Sequence, residues 1–191
     1  MGKRRGVNDV AFKTHEAYYD GVRDEFNALL IENVPNYQIS LVQQRLGPKW
    51  QTKHAVIDPR NFGIPCARSR LYVLAWRRDS VRWRQDVDLA EALDILSART
   101  VAGAAACFWK NDLPPSSLTP AQEHQRFLSP LEMLASQLLP VLPAQARSCG
   151  GRKLDVQDVP PTQLAKMAGN SMSAPCVAAM LAVAMLALEL K

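Results

Sequence analysis

Apolar positions along the chain fall into short continuous runs separated by turn residues, with one long run near the end. Ala28-Leu29-Leu30-Ile31 leads straight into Glu32-Asn33-Val34-Pro35. A short continuous apolar run predicts a strand buried on both faces, as in a parallel sheet. Gln51 to Ile57 predicts a second strand. Leu71-Tyr72-Val73-Leu74-Ala75-Trp76, rich in β-formers, predicts a third. Between the second and third strands only the turn-rich loop Asp58-Pro59-Arg60-Asn61-Phe62-Gly63 intervenes. So short a connection favours antiparallel pairing. The expected sheet is therefore a parallel pair with one reversed strand near its edge.

Helical spacing fills the intervals. Thr14 is an N-cap candidate for a helix running to Phe26, with Tyr18, Val22 and Phe26 on one face. Asn36 to Leu46 forms a second helix, ended by Gly47-Pro48. Val87 to Leu96 places Leu89, Leu93 and Leu96 on one side. Pro130 to Leu139 is a short helix that Pro140 and Pro143 stop. Ala174 to Leu190 is apolar nearly all round, the pattern of a buried helix, and its apolar run is short for a membrane span. Ala102 to Trp109 is apolar, Leu113 to Ser117 reads as a linker, and Ser148 to Arg152 as a flexible joint.

Composition narrows the class. A chain of 191 residues, 48% hydrophobic and 21% charged, is globular. Its net charge of +5 permits a polyanionic partner without requiring one. Cys66, Cys107, Cys149 and Cys176 have no CxxC spacing, which fits reduced thiols in a cytoplasmic or nuclear protein. With three His in the chain, no His/Cys zinc site is expected, and no other metal site suggests itself.

Four stretches carry candidate chemistry. Glu32 stands at the carboxyl end of the first strand, where α/β sheets bind ligands and where desolvation favours the protonated acid. The competing reading is a loop Glu that caps the next helix. Arg68 and Arg70, two apart, would point the same way in an extended segment and could hold a carboxylate or phosphate. The alternative is a solvated basic loop. Arg77, Arg78, Arg82 and Arg84 alternate with Trp76 and Trp83, making this the best phosphate-contact candidate. It could equally be a basic surface turn with one tryptophan anchored in the core. Gly169-Asn170-Ser171, before the last helix, reads either as a ligand-approaching turn or as a capped helix start.

Taken together, Glu32-Asn33-Val34, then Phe62-Gly63-Ile64-Pro65 with Arg68-x-Arg70, then Arg126-Phe127-Leu128-Ser129-Pro130-Leu131-Glu132, then Gly169-Asn170-Ser171-Met172 resemble the motifs of the cytosine-5 DNA methyltransferases, in the family's order, over residues 28–188. The resemblance implies an α/β fold with a partial Rossmann-like methyltransferase sheet, one antiparallel strand, and a small helical or irregular C-terminal region. It implies methyl transfer from S-adenosylmethionine to carbon 5 of cytosine in DNA. Glu32 would protonate ring nitrogen 3 of a base flipped from the duplex. Arg70 would orient Glu32 and contact the exocyclic oxygen, and Arg68 would belong to the same catalytic set. Asn33 would brace the loop, and Gly169, Asn170 and Ser171 would border the donor pocket.

The departures from the family are specific. Cys66 stands where the family usually has Gln. An FxGxG-like donor loop and the Pro-Cys nucleophile motif are missing. Met1-Gly2-Lys3-Arg4-Arg5-Gly6 resembles the basic loop that follows the nucleophile. The expectation is thus a fragment that begins just after the catalytic Cys, inactive alone, with the missing N-terminal half and DNA as partners. By the same resemblance, residues 1–79 belong to the catalytic core. Residues 80–125 form a short target-recognition-like region, and residues 126–191 form a return segment whose helix packs on the core. Two alternatives stay open: a non-catalytic nucleic-acid-binding module derived from the enzyme, and a tRNA cytosine-5 methyltransferase fragment.

Overall fold

The computed structural model describes residues 17, 19, 21, 24–64, 66–97, 119–121, 126–148 and 150–191. The basic N-terminus, the apolar stretch 102–109, the linker 113–117, Cys107 and Cys149 lie outside the described residues. So do Thr14, Tyr18 and Val22 of the first expected helix.

Three strands, β1 (Ala28–Asn33), β2 (Trp50–Ile57) and β3 (Arg70–Arg77), make one sheet in the order β1-β3-β2. β3 runs antiparallel to β1, pairing Ala28 with Trp76 and Glu32 with Tyr72. The reversed strand therefore lies in the middle of this sheet, not near its edge. Burial gives the reason. Leu71 to Trp76 are all buried, whereas β1 is exposed or half-buried along its whole length. A strand paired on both sides and covered on both faces needs apolar residues at every position, and of the three only β3 has them. Ala28 to Val34 is thus an edge strand among the described residues, a correction to its expected burial on both faces.

Alternation along β1 and β3 separates two faces. Leu71, Val73 and Ala75, with Leu29 and Ile31 against them, join Val42 and Leu46 of α1 (Ile39–Leu46), Trp50 and Tyr19 in one core cluster. Among the described residues of the first helical segment, Tyr19 rather than Phe26 joins this core. Phe26 is 48% exposed. Gly47, at φ 79°, closes α1 in a conformation that a Cβ would disfavour.

Four short strands were not foreseen. β4 (Val81–Trp83) pairs antiparallel with a strand at residues 188–190, joining Val81 to Leu190 and Arg82 to Glu189. α2 (Leu89–Ser97) opens on Asp88, whose Oδ1 accepts from the amides of Ala90 and Glu91. β5 (Thr119–Ala121) and β6 (Arg126–Leu128) form a small antiparallel pair. Helices α3 (Pro130–Ala135), α4 (Pro143–Ser148), α5 (Pro161–Asn170) and α6 (Ala174–Ala187) follow, and then β7 (Leu188–Leu190). The helix expected from Pro130 to Leu139 is shorter, because the chain turns at Leu138, which takes φ 57°. Pro143 does not stop a helix but opens one, since a first-turn proline gives up no intrahelical hydrogen bond. Leu134, Ala135, Val141, Val156, Leu164 and Ala168 form a second core cluster.

The last helix ends at Ala187 rather than Leu190, where the backbone turns extended to pair with β4. Nor is it buried all round. Cys176, Ala179, Met180, Val183 and Ala187 form one buried stripe, while Leu181, Met185 and Leu186 are 47%, 84% and 58% exposed. By composition, Pro161–Ala187 contains a window apolar enough to cross a membrane. The backbone, however, breaks between α5 and α6, and the 14 residues of α6 rise about 21 Å against a hydrocarbon core of about 30 Å.

Two units result. One comprises the described residues of 1–56, 70–92 and 180–191. The other comprises those of 57–69 and 93–179.

Candidate active site

Glu32 and Arg70 meet across the β1–β3 ladder. Tyr72 is directly opposite Glu32, and Arg70 lies two residues earlier on β3. Residues two apart on a strand share a face, so Glu32 and Arg70 are diagonal neighbours. Oε1 of Glu32 is 3.0 Å from Nε of Arg70, with the side chains 14% and 22% exposed. The contact is a charge pair rather than an aligned hydrogen bond. The strand stops just beyond it. Asn33 Oδ1 accepts from the Val34 amide (2.8 Å), and the Tyr37 amide donates to the Val34 carbonyl (3.0 Å). That closes a turn with Pro35 in the position where its fixed φ fits. Asn33 thus ties down the first residue of the turn that follows Glu32.

The arginine loop is held from its other end by a residue the sequence reading passed over. Asp58 caps the 3-10 turn Pro59–Phe62 by accepting from the Arg60 amide. Its two carboxylate oxygens take Nε and Nη2 of Arg60 at 2.8 and 3.0 Å, and Ser69 Oγ also donates to it. The Arg60 guanidinium holds the Asp58 carboxyl at about 2, against an ordinary 3.8. Asp58-Pro59 was a legible signal, a capping residue followed by a first-turn proline. Gly63, at φ 70°, ends the turn, and Phe62 and Ile64 are buried beneath it.

Arg68 has a different place from Arg70. Its Nη2 donates to the carbonyls of Gly169 (2.6 Å) and Ser171 (2.9 Å). These carbonyls end α5, where a helix leaves unpaired acceptors and the negative end of its dipole. Gly169 and Asn170 are therefore the last residues of a helix, not the capped start of the next one. The same turn is tied by Gln137, which is buried. Its amide Nε2 donates to the Ala168 carbonyl (2.7 Å), its Oε1 accepts from Ser171 Oγ (2.8 Å), and its carbonyl accepts from the Ala174 amide. Nothing in the local sequence around Gln137 announces this role, because all its partners are distant in the chain.

For a methyl donor the fit of these residues is partial. A Cβ built on Gly169 would meet open space, and Asn170 and Ser171 border a largely apolar hollow of about 620 Å³ lined also by Leu139, Val156 and Met167. That set can border a nucleoside. Among the described residues that line it there is no carboxylate for ribose hydroxyls, so a donor would need contacts from elsewhere.

The segment Ser129-Pro130-Leu131-Glu132 is a capping box. Ser129 Oγ accepts from the Glu132 amide (3.2 Å), and Glu132 Oε2 accepts from the Ser129 amide (2.9 Å), with both residues buried. The side chains of Arg126 and Phe127 lie outside the described residues. A second Pro-Cys pair, Pro175-Cys176, escaped the sequence reading. Cys176 is fully buried in α6 and so is no accessible nucleophile.

The Arg/Trp stretch sits elsewhere. β3 spans about 23 Å from Arg70 to Arg77, so these arginines occupy the opposite end of the sheet from Glu32. Arg77 pairs with Asp79 (2.7 Å), Arg84 with Asp86 (2.6 Å), and Arg82 with Glu189 (2.9 Å). Arg77 holds the Asp79 carboxyl at about 2. Of the four arginines, Arg78 alone makes no ion pair among the described residues.

No protein-family model matches the sequence, and no curated protein does. Solved structures do match. The Entamoeba histolytica methyltransferase EhMeth superposes with TM-score 0.63 at 15% identity, over 93% of this chain and 69% of that one. The S. pombe Dnmt2 methyltransferase gives 0.64 at 13% identity, over 97% and 74%. The fold is a methyltransferase fold. A mutant of the Spodoptera frugiperda DNMT2 agrees, with TM-score 0.59 at 14% identity over 96% and 75%. The methyltransferase fold bears out the expected partial sheet with its antiparallel strand, and with it the resemblance to the cytosine-5 enzymes at the level of fold.

Proposed function

We propose that this chain supplies the target-base half of a DNA cytosine-5 methyltransferase site that uses S-adenosylmethionine. The observation that carries the reading is the Glu32–Arg70 pair, half sheltered at the end of β1 in a methyltransferase fold. Attack on carbon 6 of cytosine by a thiolate pushes negative charge into the ring. A proton delivered to ring nitrogen 3 relieves that charge and makes carbon 5 nucleophilic. Glu32 is the donor of that proton. Arg70, facing Oε1, leaves Oε2 as the atom to meet the ring nitrogen and fixes the carboxyl plane. Its guanidinium then lies within reach of the exocyclic oxygen at ring position 2. Asn33 keeps the turn after β1 rigid, so the carboxyl need not reorganise when the base arrives.

Arg68 pins the Gly169–Ser171 turn, the segment that the resemblance assigns to the donor. S-adenosylmethionine would supply an electrophilic methyl group on a sulfonium. Gly169, Asn170 and Ser171 would lie along one side of its nucleoside. The thiolate and the remaining donor contacts would have to come from a segment bearing the Pro-Cys and FxGxG motifs.

The test is complementation. The chain is mixed with a fragment that carries those two motifs, and transfer of labelled methyl to cytosine is followed on duplex DNA and on transfer RNA. Turnover is expected only with both parts present and with DNA. Glu32→Gln should lower it by about a hundredfold or more, the usual range for a lost general acid. Full-rate transfer by Glu32→Gln would sink the reading, and transfer to RNA alone would replace the substrate.

A further inference from the structure

At the end of the sheet away from Glu32, a cavity of about 830 Å³ opens between α1, β2 and the β3–β4 turn. Trp50 and Trp76, 7% and 2% exposed, form its fixed wall. Trp83 stands half-exposed beside them, its ring centroid 5.3 Å from that of Trp76 at a tilt of 32°. Its indole N–H is held by the Val87 carbonyl (2.8 Å), so the ring plane is set. Lys53 Nζ lies 4.8 Å from the Trp83 centroid, over the ring.

The charges lining the cavity have one sign. Lys53, Arg78 and Arg82 are present and no carboxylate is. Arg82 is spent on Glu189, whereas Arg78 and Lys53 make no ion pair among the described residues. Arg78 is nevertheless well placed. Its amide donates to the Lys49 carbonyl (2.8 Å), and its own carbonyl accepts from the Lys191 ammonium. The amides of Gln43, Gln51 and Gln85 add donors and acceptors without net charge.

We propose that this cavity binds a phosphorylated planar ring, that is, a nucleotide unit, free or within a single strand. Three features select this chemistry together. The volume suits a ligand of that size. The Trp83 face over which the Lys53 ammonium lies can accept a stacked base in its place, because any base presents a π-face. Two cations can then turn to the phosphate, Arg78 as a fork and Lys53, which also feels the Asp88 carboxylate, as a mobile point charge. Uncharged amides suit the edge of a base, which carries donors and acceptors and no charge. The site shares no residue with the Glu32–Arg70 pair, and its occupancy does not depend on methyl transfer.

Tryptophan fluorescence of the full chain, titrated with cytidine and adenosine monophosphates, a short single-stranded oligonucleotide and inorganic phosphate, tests this. Saturable quenching by the nucleotides is expected, weakened about tenfold in Arg78→Gln and in Lys53→Gln, as for a lost charged hydrogen bond. Glu32→Gln should bind as the unaltered chain does. Binding of the oligonucleotide without the monophosphates would still support the site and assign it to a strand. The proposal is overturned if quenching is absent, if both variants bind normally, or if inorganic phosphate competes as well as the nucleotides do. Both substitutions are at side chains outside the core, and unchanged far-ultraviolet circular dichroism verifies that the variants are folded.

Discussion

Single side chains in this molecule divide into those that do chemistry and those that hold them, and Asp58 belongs to the second group. Its carboxyl, lowered to about 2 by Arg60, stabilises the folded state only while ionised. The contribution is present above the ordinary value of 3.8 and is lost as pH falls toward 2. Asp58→Asn is therefore expected to be less stable than the unaltered chain at pH 7 and to lose that difference near pH 2, in parallel urea titrations. A constant difference across that window would remove the ionised carboxylate from the account. Arg68 makes a similar case. Two charge-assisted bonds to helix-end carbonyls are worth roughly 1.5–3 kcal/mol each to break, so Arg68→Met should lower the denaturation midpoint clearly while leaving the Glu32–Arg70 pair in place. Glu32 and Arg70 could be read from sequence because a strand-end carboxylate and a strand-start arginine need only the ladder to meet. Arg68 and Gln137 could not, since their partners lie 101 to 103 and 31 to 34 residues away and no local pattern encodes them.

At the scale of elements, the strands were legible and their order was not. Leu71 to Trp76 announces a strand by composition, yet which strand occupies the middle depends on how many faces are covered, and that is a property of the whole sheet. The last helix shows the opposite failure. Ala174 to Leu190 is so uniformly apolar that no face or end is marked. Its final turn leaves the helix because Glu189 finds Arg82 across a ladder. The capping box at Ser129 and Glu132 was noted only as a family-like motif, although its physical reason is local. Glu132→Ala would leave the Ser129 amide buried without its acceptor, at a cost of about 1–3 kcal/mol. Thermal melts should show this loss. Ser129→Ala should cost less, and a double variant should fall short of the sum, because the two bonds form one box.

For the whole molecule, exposed apolar side chains set the expected behaviour in solution. Leu181, Met185, Leu186 and Leu190 are 47% to 84% exposed, all within the final strand and helix of one unit. An apolar group of that kind, in a unit that also carries the edge strand β1, favours association. Sedimentation of the chain should show concentration-dependent species, and Met185→Lys with Leu186→Lys should shift them toward monomer without changing the melt. A monodisperse unaltered chain would contradict this. Charge was a poor guide at this scale. Three arginines of the Arg/Trp stretch are paired with carboxylates, and Arg78 makes no ion pair among the described residues.

The pairing of β4 with β7 also bears on how quickly the molecule can form. Arg82 and Glu189 are separated by 107 residues. The unit holding Glu32 is thus closed by a ladder that cannot zip until most of the chain has already collapsed. β1 and β3 can meet long before that, so their sheet waits, with Val81 unpaired, for its last strand. Refolding is expected to show an early phase that develops the β1–β3 signal and a slower one that Arg82→Ala prolongs, and stopped-flow fluorescence of Trp83 is placed to separate the two.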